Sequence, residues 1–370
     1  MSEIKIPYHG LKRFYENNRL EILNKIDNAF CDGQFLKGDE NKKLEHNIAK
    51  FCNRKYAHTV SSCTDALYFA LKSLGIETGD EVIVTNFSFI SSATSILRAG
   101  AKPVFVDIDA DSFLMDLSQI ENVITKNTKA IIAVQLFGQT LDFIKLESIA
   151  KKHDILIVED AAQSLGSEKN NRKSGSLGDL SCVSFDPTKI IGAFGTGGAI
   201  LTDNQDIYNR LKLFTSNGKR NNDFIELAYN SQITTAQASL LDWQLENIEE
   251  IIDKRQNIAK QYNEYLKAID EIKTPNEEEG CKHIYHKYVI QTNRRDELQE
   301  HLKNNEIQTL IHYSHILENN SVFTKSNSIK NNSNIAEKLS KEVLSLPIYP
   351  ELLNEEILYI CNSIKSFFNK

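Results

Sequence analysis

Between about residue 55 and residue 205 the chain alternates short apolar runs rich in β-branched residues with stretches of helical periodicity. The runs are Glu81–Asn86, Pro103–Asp107, Ala130–Phe137, Ile155–Asp160, Ser181–Phe185 and Gly198–Thr202. Continuous apolarity suits strands covered on both faces, so the runs predict a mainly parallel sheet between layers of helices. Helices are expected at Thr64–Leu74, Ser91–Ala99, Leu117–Val123 and Leu141–His153. In the last, Ile144, Leu146, Ile149 and Ala150 fall near one stripe with lysines opposite, as an amphipathic crossover helix requires. The pattern is that of an α/β open sheet.

After Thr235 the texture changes. A long helix is expected through Leu240, Trp243, Leu245, Ile248, Ile251 and Ile252 to about Ala268. Beyond it come a hairpin-like His283–Thr292, a helix Arg295–Asn304, a polar Asn/Ser stretch at 326–334 that reads as a mobile loop, and a C-terminal helix. The expected division is a large domain over 1–246 and a smaller C-terminal α+β domain over 247–370. No internal repeat is visible.

Composition narrows the function classes. A chain of 370 residues that is 41% hydrophobic can bury a large core. Its formal net charge of -7 argues against a nucleic-acid binder, which would carry a clustered basic face, so an anionic ligand needs a local site. No window reaches the apolar length of a membrane span and the N-terminus lacks a signal-peptide pattern, so no membrane partner and a cytoplasmic location are expected. The six cysteines include no CxxC pair, which fits free thiols in a reducing compartment better than disulfides or zinc.

Candidate chemistry falls at the carboxyl ends of the predicted strands, where open α/β sheets bind ligands. Ser62-Cys63-Thr64-Asp65 opens a helix, where free amides and the helix dipole favour a phosphate; the plain alternative is an N-cap. Asp160 ends a buried apolar strand and needs a partner: a protonated pyridine nitrogen, a magnesium ion or a helix N-terminus. Lys189 follows Ser184 and the next strand, beside a run of small residues from Gly192 to Ala199. A lysine there is either a solvated loop residue or, with its amine pKa lowered by burial, the nucleophile of a Schiff-base enzyme. No GxGxxG opens a helix after the first strand and no GxxxxGK[ST] occurs, so dinucleotide and P-loop readings lose support. A phosphate-holding helix start, a strand-end acid and a lysine after a further strand are together what a pyridoxal phosphate site requires.

These residues carry a resemblance. Gly33–Gly38, SSCTDAL, TNFSFISSATSI, AKPVFVDID, QLFGQ, VEDAAQSLGS, SFDPTK, GTGGAI, AYNSQITTAQASLLDWQL, the Tyr285–Tyr288 region, Ile311-His312-Tyr313 and Leu346–Pro350 resemble, nearly end to end, the DegT/DnrJ/EryC1/StrS family of sugar aminotransferases. The resemblance implies an α/β architecture of fold type I (aspartate aminotransferase-like) with a seven-stranded-type sheet. It implies pyridoxal 5'-phosphate as cofactor, joined to Lys189, which then moves the proton of the substrate carbon. Asp160 would pair with the pyridine nitrogen, Gln163 would sit by the ring oxygen and Phe89 would stack on the ring. The amides of Cys63 and Thr64 with Ser184 would hold the phosphate, joined by Asn230 of a second subunit in a homodimer with shared active sites. His312 and Tyr313 would meet the nucleotide sugar.

Three positions depart from the family pattern. Cys63 stands where glycine is usual, Gln232 where many relatives carry arginine, and Thr196 where an acid is common. Gln232 puts one contact to the substrate's anionic end in doubt. His283 and His286 would point to opposite faces of a strand, so no metal is expected. Asn217, Lys219 and Arg220 read as a solvated loop, with contact to a diphosphate as the alternative.

The function implied is transfer of an amino group from glutamate to a nucleotide-linked, dTDP-borne keto-6-deoxysugar for surface polysaccharide, lipopolysaccharide or O-antigen synthesis. Gln135 in QLFGQ leans it to C3; amination at C4, or a UDP-linked 3-keto sugar, is the alternative. A dehydratase of the same superfamily would replace Lys189 by histidine, a non-catalytic cofactor-binding regulator should lose Asp160 or Lys189, and a NAD module would need the missing glycine fingerprint.

Overall fold

The computed structural model describes residues 6–369 apart from 32, 327, 330 and 332. Its centre is a seven-stranded sheet. In chain order the strands are β1 (Tyr56–Val60), β2 (Glu81–Thr85), β3 (Lys102–Val106), β4 (Thr128–Val134), β5 (Leu156–Asp160), β6 (Leu180–Ser184) and β7 (Gly198–Thr202). Across the sheet the order is β1-β7-β6-β5-β4-β2-β3. Only β7 runs against its neighbours: it pairs antiparallel with β1 and β6, while the other pairs are parallel. The central strands are buried along their length, which is why their sequences are unbroken apolar runs.

Helices Cys63–Ser73, Ser91–Arg98 and Phe143–His153 lie within a residue or two of their expected positions. The expected helix Leu117–Val123 shrinks to Ile120–Val123, because Asp116 spends its carboxylate on the amide and hydroxyl of Ser118 and holds a turn there. Two N-terminal helices, Leu11–Phe30 and Asp39–Phe51, and the edge strand β1 were not anticipated.

The long helix after Thr235 is two helices, Thr235–Glu246 and Ile248–Leu266, parted at Asn247, whose φ of -109° and ψ of 12° leave the helical range. Ile248 and Ile252 pack in the cluster flanking the sheet, whereas Ile258, Ala259, Tyr262 and Leu266 belong to a separate C-terminal core. The boundary expected between 246 and 247 falls at the start of a helix that serves both cores. Segments cross it in both directions: Ile6 packs in the C-terminal core, and Phe323, Leu339 and Val343 pack in the main one.

His283–Thr292 is not a hairpin. Only β8 (Tyr288–Gln291) is a strand, and its antiparallel partner is the distant β9 (Val343–Leu346). Part of the expected mobile loop at 326–334 is anchored: Ile329 bridges to Val104, and Asn331 Nδ2 donates to the Phe105 carbonyl at 2.7 Å. Positions 327, 330 and 332 of that stretch lie outside the described residues, as do residues 1–5 of the N-terminus. No helix among the described residues is long and apolar enough to cross a membrane.

Candidate active site

Strands β5 and β6 end side by side, so Asp160 sits across the register from Cys182, two residues before Ser184. β7 returns next to β6 and places Gly198 opposite Ser184. A Cβ on Gly198 would lie 2.7 Å from the Cys63 amide nitrogen, so only glycine lets the strand run this close to the helix start. Four separated segments thus converge on one edge of the sheet.

At that helix start the Ser62 hydroxyl accepts from the Asp65 amide at 3.1 Å. The amides of Cys63 and Thr64 belong to the first turn, whose donors have no partner within a helix. The positive end of the helix thus lies beside Gly198, the strand partner of Ser184, and such an end has the electrostatics a phosphate needs.

Asp160 is buried and anchored. Its Oδ2 accepts from Ser92 Oγ at 2.7 Å, Ser92 is joined to Ser88 at 3.0 Å, and Oδ1 accepts from the Ala162 amide at 3.2 Å. Burial pushes its pKa up, against the pull of the Ser92 and Ala162 bonds and the Lys189 charge. A carboxylate kept in so little water gains from a cationic partner. Phe89, between Ser88 and Ile90 in the same loop, leaves 56% of its surface open.

Lys189 leaves β6 through a turn in which Asp186 Oδ1 accepts from the Thr188 amide at 3.0 Å and hydroxyl at 2.6 Å, and the Lys189 amide donates to the Asp186 carbonyl at 2.9 Å. Gly192 is required here: a Cβ would lie 2.6 Å from the Pro187 carbonyl oxygen. Burial lowers the Lys189 amine pKa, with Cys63, Asp186 and Asp160 pulling the other way. The lysine therefore lies close to Cys63 of the helix start and to the strand-end acid.

Gln163 Oε1 accepts from the Phe137 amide at 3.1 Å and its Nε2 donates to the Tyr313 hydroxyl at 3.0 Å, so the C-terminal segment is tied to the sheet edge at this point. His312 Nδ1 meets Ser345 Oγ at 2.8 Å, and burial pushes its pKa down to about 3. Asn230 stays outside this group: it is exposed and accepts from Gln232 Nε2 at 2.7 Å.

His283 and His286 are both buried, and both lie before β8 begins, so the expectation that a strand splays them apart does not apply. His283 stacks on Tyr285 at 4.1 Å. Sequence reasoning missed Ser92 and Ser88, whose only signal was a hydroxyl-rich SFISS run that leads into a helix and forms its first residues. It also missed Ser91, which joins the Thr64 hydroxyl at 2.7 Å.

An amine, a buried acid and a helix start with free donors, all within one field, match the three ends of pyridoxal 5'-phosphate: aldehyde, ring nitrogen and phosphate. Comparison with known proteins agrees. The sequence model of the DegT/DnrJ/EryC1/StrS aminotransferase family matches residues 16–365. A pleiotropic regulatory protein of Geobacillus stearothermophilus is 37% identical over 99% of both chains. The UDP-N-acetyl-3-dehydro-alpha-D-glucosamine 3-aminotransferase of Acidithiobacillus ferrooxidans is 35% identical over 97% of both. The crystal structure of S. venezuelae DesV in complex with a ketimine intermediate superimposes with a TM-score of 0.95 at 31% identity, covering 99% of both chains. The fold is that of the pyridoxal-phosphate enzymes of fold type I, and the cofactor is pyridoxal 5'-phosphate. The chain belongs to the DegT/DnrJ/EryC1/StrS aminotransferase family and is a transaminase of the sugar-aminating kind.

Proposed function

We propose that this protein moves an amino group from glutamate to a dTDP-linked keto-6-deoxysugar at C3, for surface polysaccharide or O-antigen synthesis. A UDP-linked 3-keto sugar is the second reading, favoured by the name of the Acidithiobacillus relative. The observation that carries the proposal is the lowered amine of Lys189 beside the anchored carboxylate of Asp160.

When bound, the cofactor supplies the electron sink that makes the nitrogen-bearing carbon acidic. Asp160 holds the negative charge that keeps the ring nitrogen protonated, and the Ser92–Ser88 hydroxyls hold Asp160 in place. The Cys63 and Thr64 amides with Ser184 would hold the phosphate, and Asn230 from a second copy of the chain would complete that cradle. Phe89 would cover the ring, and Gln163, which donates to the Tyr313 hydroxyl, would meet the ring oxygen. Lys189, whose amine pKa burial lowers, would take the proton from the substrate carbon and deliver it to the C4′ carbon of the bound cofactor. His312 and Tyr313 orient the sugar nucleotide. Positioned proton transfer of this kind contributes about 10²–10⁴-fold to a rate.

Incubating the purified protein with glutamate and a panel of 3-keto and 4-keto nucleotide sugars, with products read by mass, tests this. Amination of a 3-keto member is expected; a panel in which no sugar gains an amino group contradicts the substrate class.

A further inference from the structure

The segment 311–320, which carries His312 and Tyr313, has little regular structure of its own beyond one short turn at Leu317–Asn319. Such a segment keeps one shape only where its backbone groups find partners elsewhere. In front it hangs from β9, where Leu310 and Ser345 exchange both amide bonds at 3.2 and 2.8 Å. Behind, it hangs from one residue of the central sheet. The Asn86 carbonyl accepts from the Leu317 amide at 2.8 Å, and Asn86 Oδ1 accepts from the Glu318 amide at 2.9 Å. Asn86 is itself fixed: its amide donates to the Val106 carbonyl at 2.9 Å and its Nδ2 to Ser333 Oγ at 2.7 Å. Asn86 is fully buried, with Leu317, Glu318 and Ser333 buried around it, so water cannot stand in for a lost bond.

The place of Asn86 in the chain gives these bonds their consequence. It follows β2 directly and opens the turn Phe87-Ser88-Phe89, which bears the hydroxyl joined to Ser92, the donor to Asp160. Phe87 is fully buried and meets the Tyr313 ring edge-on, with centroids 6.0 Å apart. One short turn therefore borders the acid of the cofactor site on one side and the segment of His312 and Tyr313 on the other. The front anchor belongs to the C-terminal core, through Leu344 and Leu346 of β9. The bonds at Asn86 tie the segment to the sheet that carries Asp160.

We propose that Asn86 is a positioning residue for the nucleotide sugar: through Leu317 and Glu318 it holds His312 and Tyr313 at a set distance from Asp160, and it governs amination of the keto sugar without touching either substrate. The assignment rests on the reading above that His312 and Tyr313 orient the sugar nucleotide.

The two half-reactions of the cofactor-loaded protein separate this role from a general loss of packing. In Asn86→Ala the KM for the keto sugar should rise at least about tenfold, the size expected when a buried amide loses its acceptor, while the single-turnover rate with glutamate stays within about threefold of native. Ser333→Ala removes the partner of Nδ2 but leaves the Leu317 and Glu318 amides held, so its KM should stay within about threefold. Asn86→Ser, whose oxygen falls one atom short of the Glu318 amide, should follow Asn86→Ala and serves in its place if the alanine protein does not fold. Hydrogen exchange over 311–320, read by mass with no sugar present, should quicken in both Asn86 variants and keep its native rate in Ser333→Ala. An unchanged sugar KM in the Asn86 variants, an equal rise in Ser333→Ala, or a glutamate half-reaction slowed as much as the KM rises overturns the assignment. If exchange quickens as expected while the native protein aminates no keto sugar, the hold of Asn86 on the segment stands and the substrate reading falls.

Discussion

Lys189 and Lys287 are both lysines whose amines burial has pulled down, yet their surroundings differ in kind. Lys189 lies in the field of Cys63, Asp186 and Asp160, and Asp160 is itself fixed by Ser92. Lys287 lies in the field of Arg255 and Lys189, over the Tyr8 ring, with Asp186 alone opposing. Burial alone therefore does not make a catalytic lysine. An anchored acid beside the amine makes a place for a cofactor with one cationic and one electrophilic end, whereas an amine among like charges lacks that partner.

The comparison is broken most severely by removing the acid. Asp160→Asn keeps the shape but leaves the ring nitrogen without its counter-charge, and kcat should fall about 10²–10³-fold, the usual cost of one well-placed electrostatic group. Single-turnover kinetics with glutamate measure it; a loss below threefold would place the electron sink under other control.

A smaller effect is expected from Ser92→Ala. The carboxylate stays but loses its 2.7 Å donor, which costs about 1–3 kcal/mol in the charged form, so the rate should fall about tenfold with Phe89 and Lys189 untouched. An unchanged rate would show that the Ala162 amide alone is enough to hold Asp160.

The smallest effect is a shift in pH. Only the neutral amine attacks an aldehyde, so the rate of cofactor capture by the apo-protein should rise with pH and level off below the range of an ordinary lysine, because burial lowers the Lys189 pKa. Asp160 pulls that pKa up, so Asp160→Asn should move the midpoint to lower pH. A midpoint that moves up, or sits at the ordinary lysine value, would contradict the environment assigned to this amine.

The central sheet was legible because double-sided burial leaves its mark on every residue of a strand: Gly198–Thr202 needs no context to read as it is. β1 was not, since Tyr56 and His58 are only half-buried at the sheet edge and break the apolar run. The helix Leu11–Phe30 buries only Ile22 and Ala29 within the chain, so its apolar stripe is too thin to announce it. The partner of β8 lies far along the sequence, and pairing at such a distance has no local signature. In the site, Lys189, Asp160 and Ser184 were visible because strand ends and glycine runs mark them. Ser92 and Asn86 act through neighbours that only folding supplies: one is a hydroxyl among many, the other the last residue of what reads as a strand.

The account turns on which lysine carries the cofactor. Borohydride reduction of the protein loaded with pyridoxal 5'-phosphate, followed by digestion and mass mapping, should bleach its colour and leave a single pyridoxyl tag on Lys189. A protein that takes up no colour, or a tag found on Lys287 instead, would contradict it.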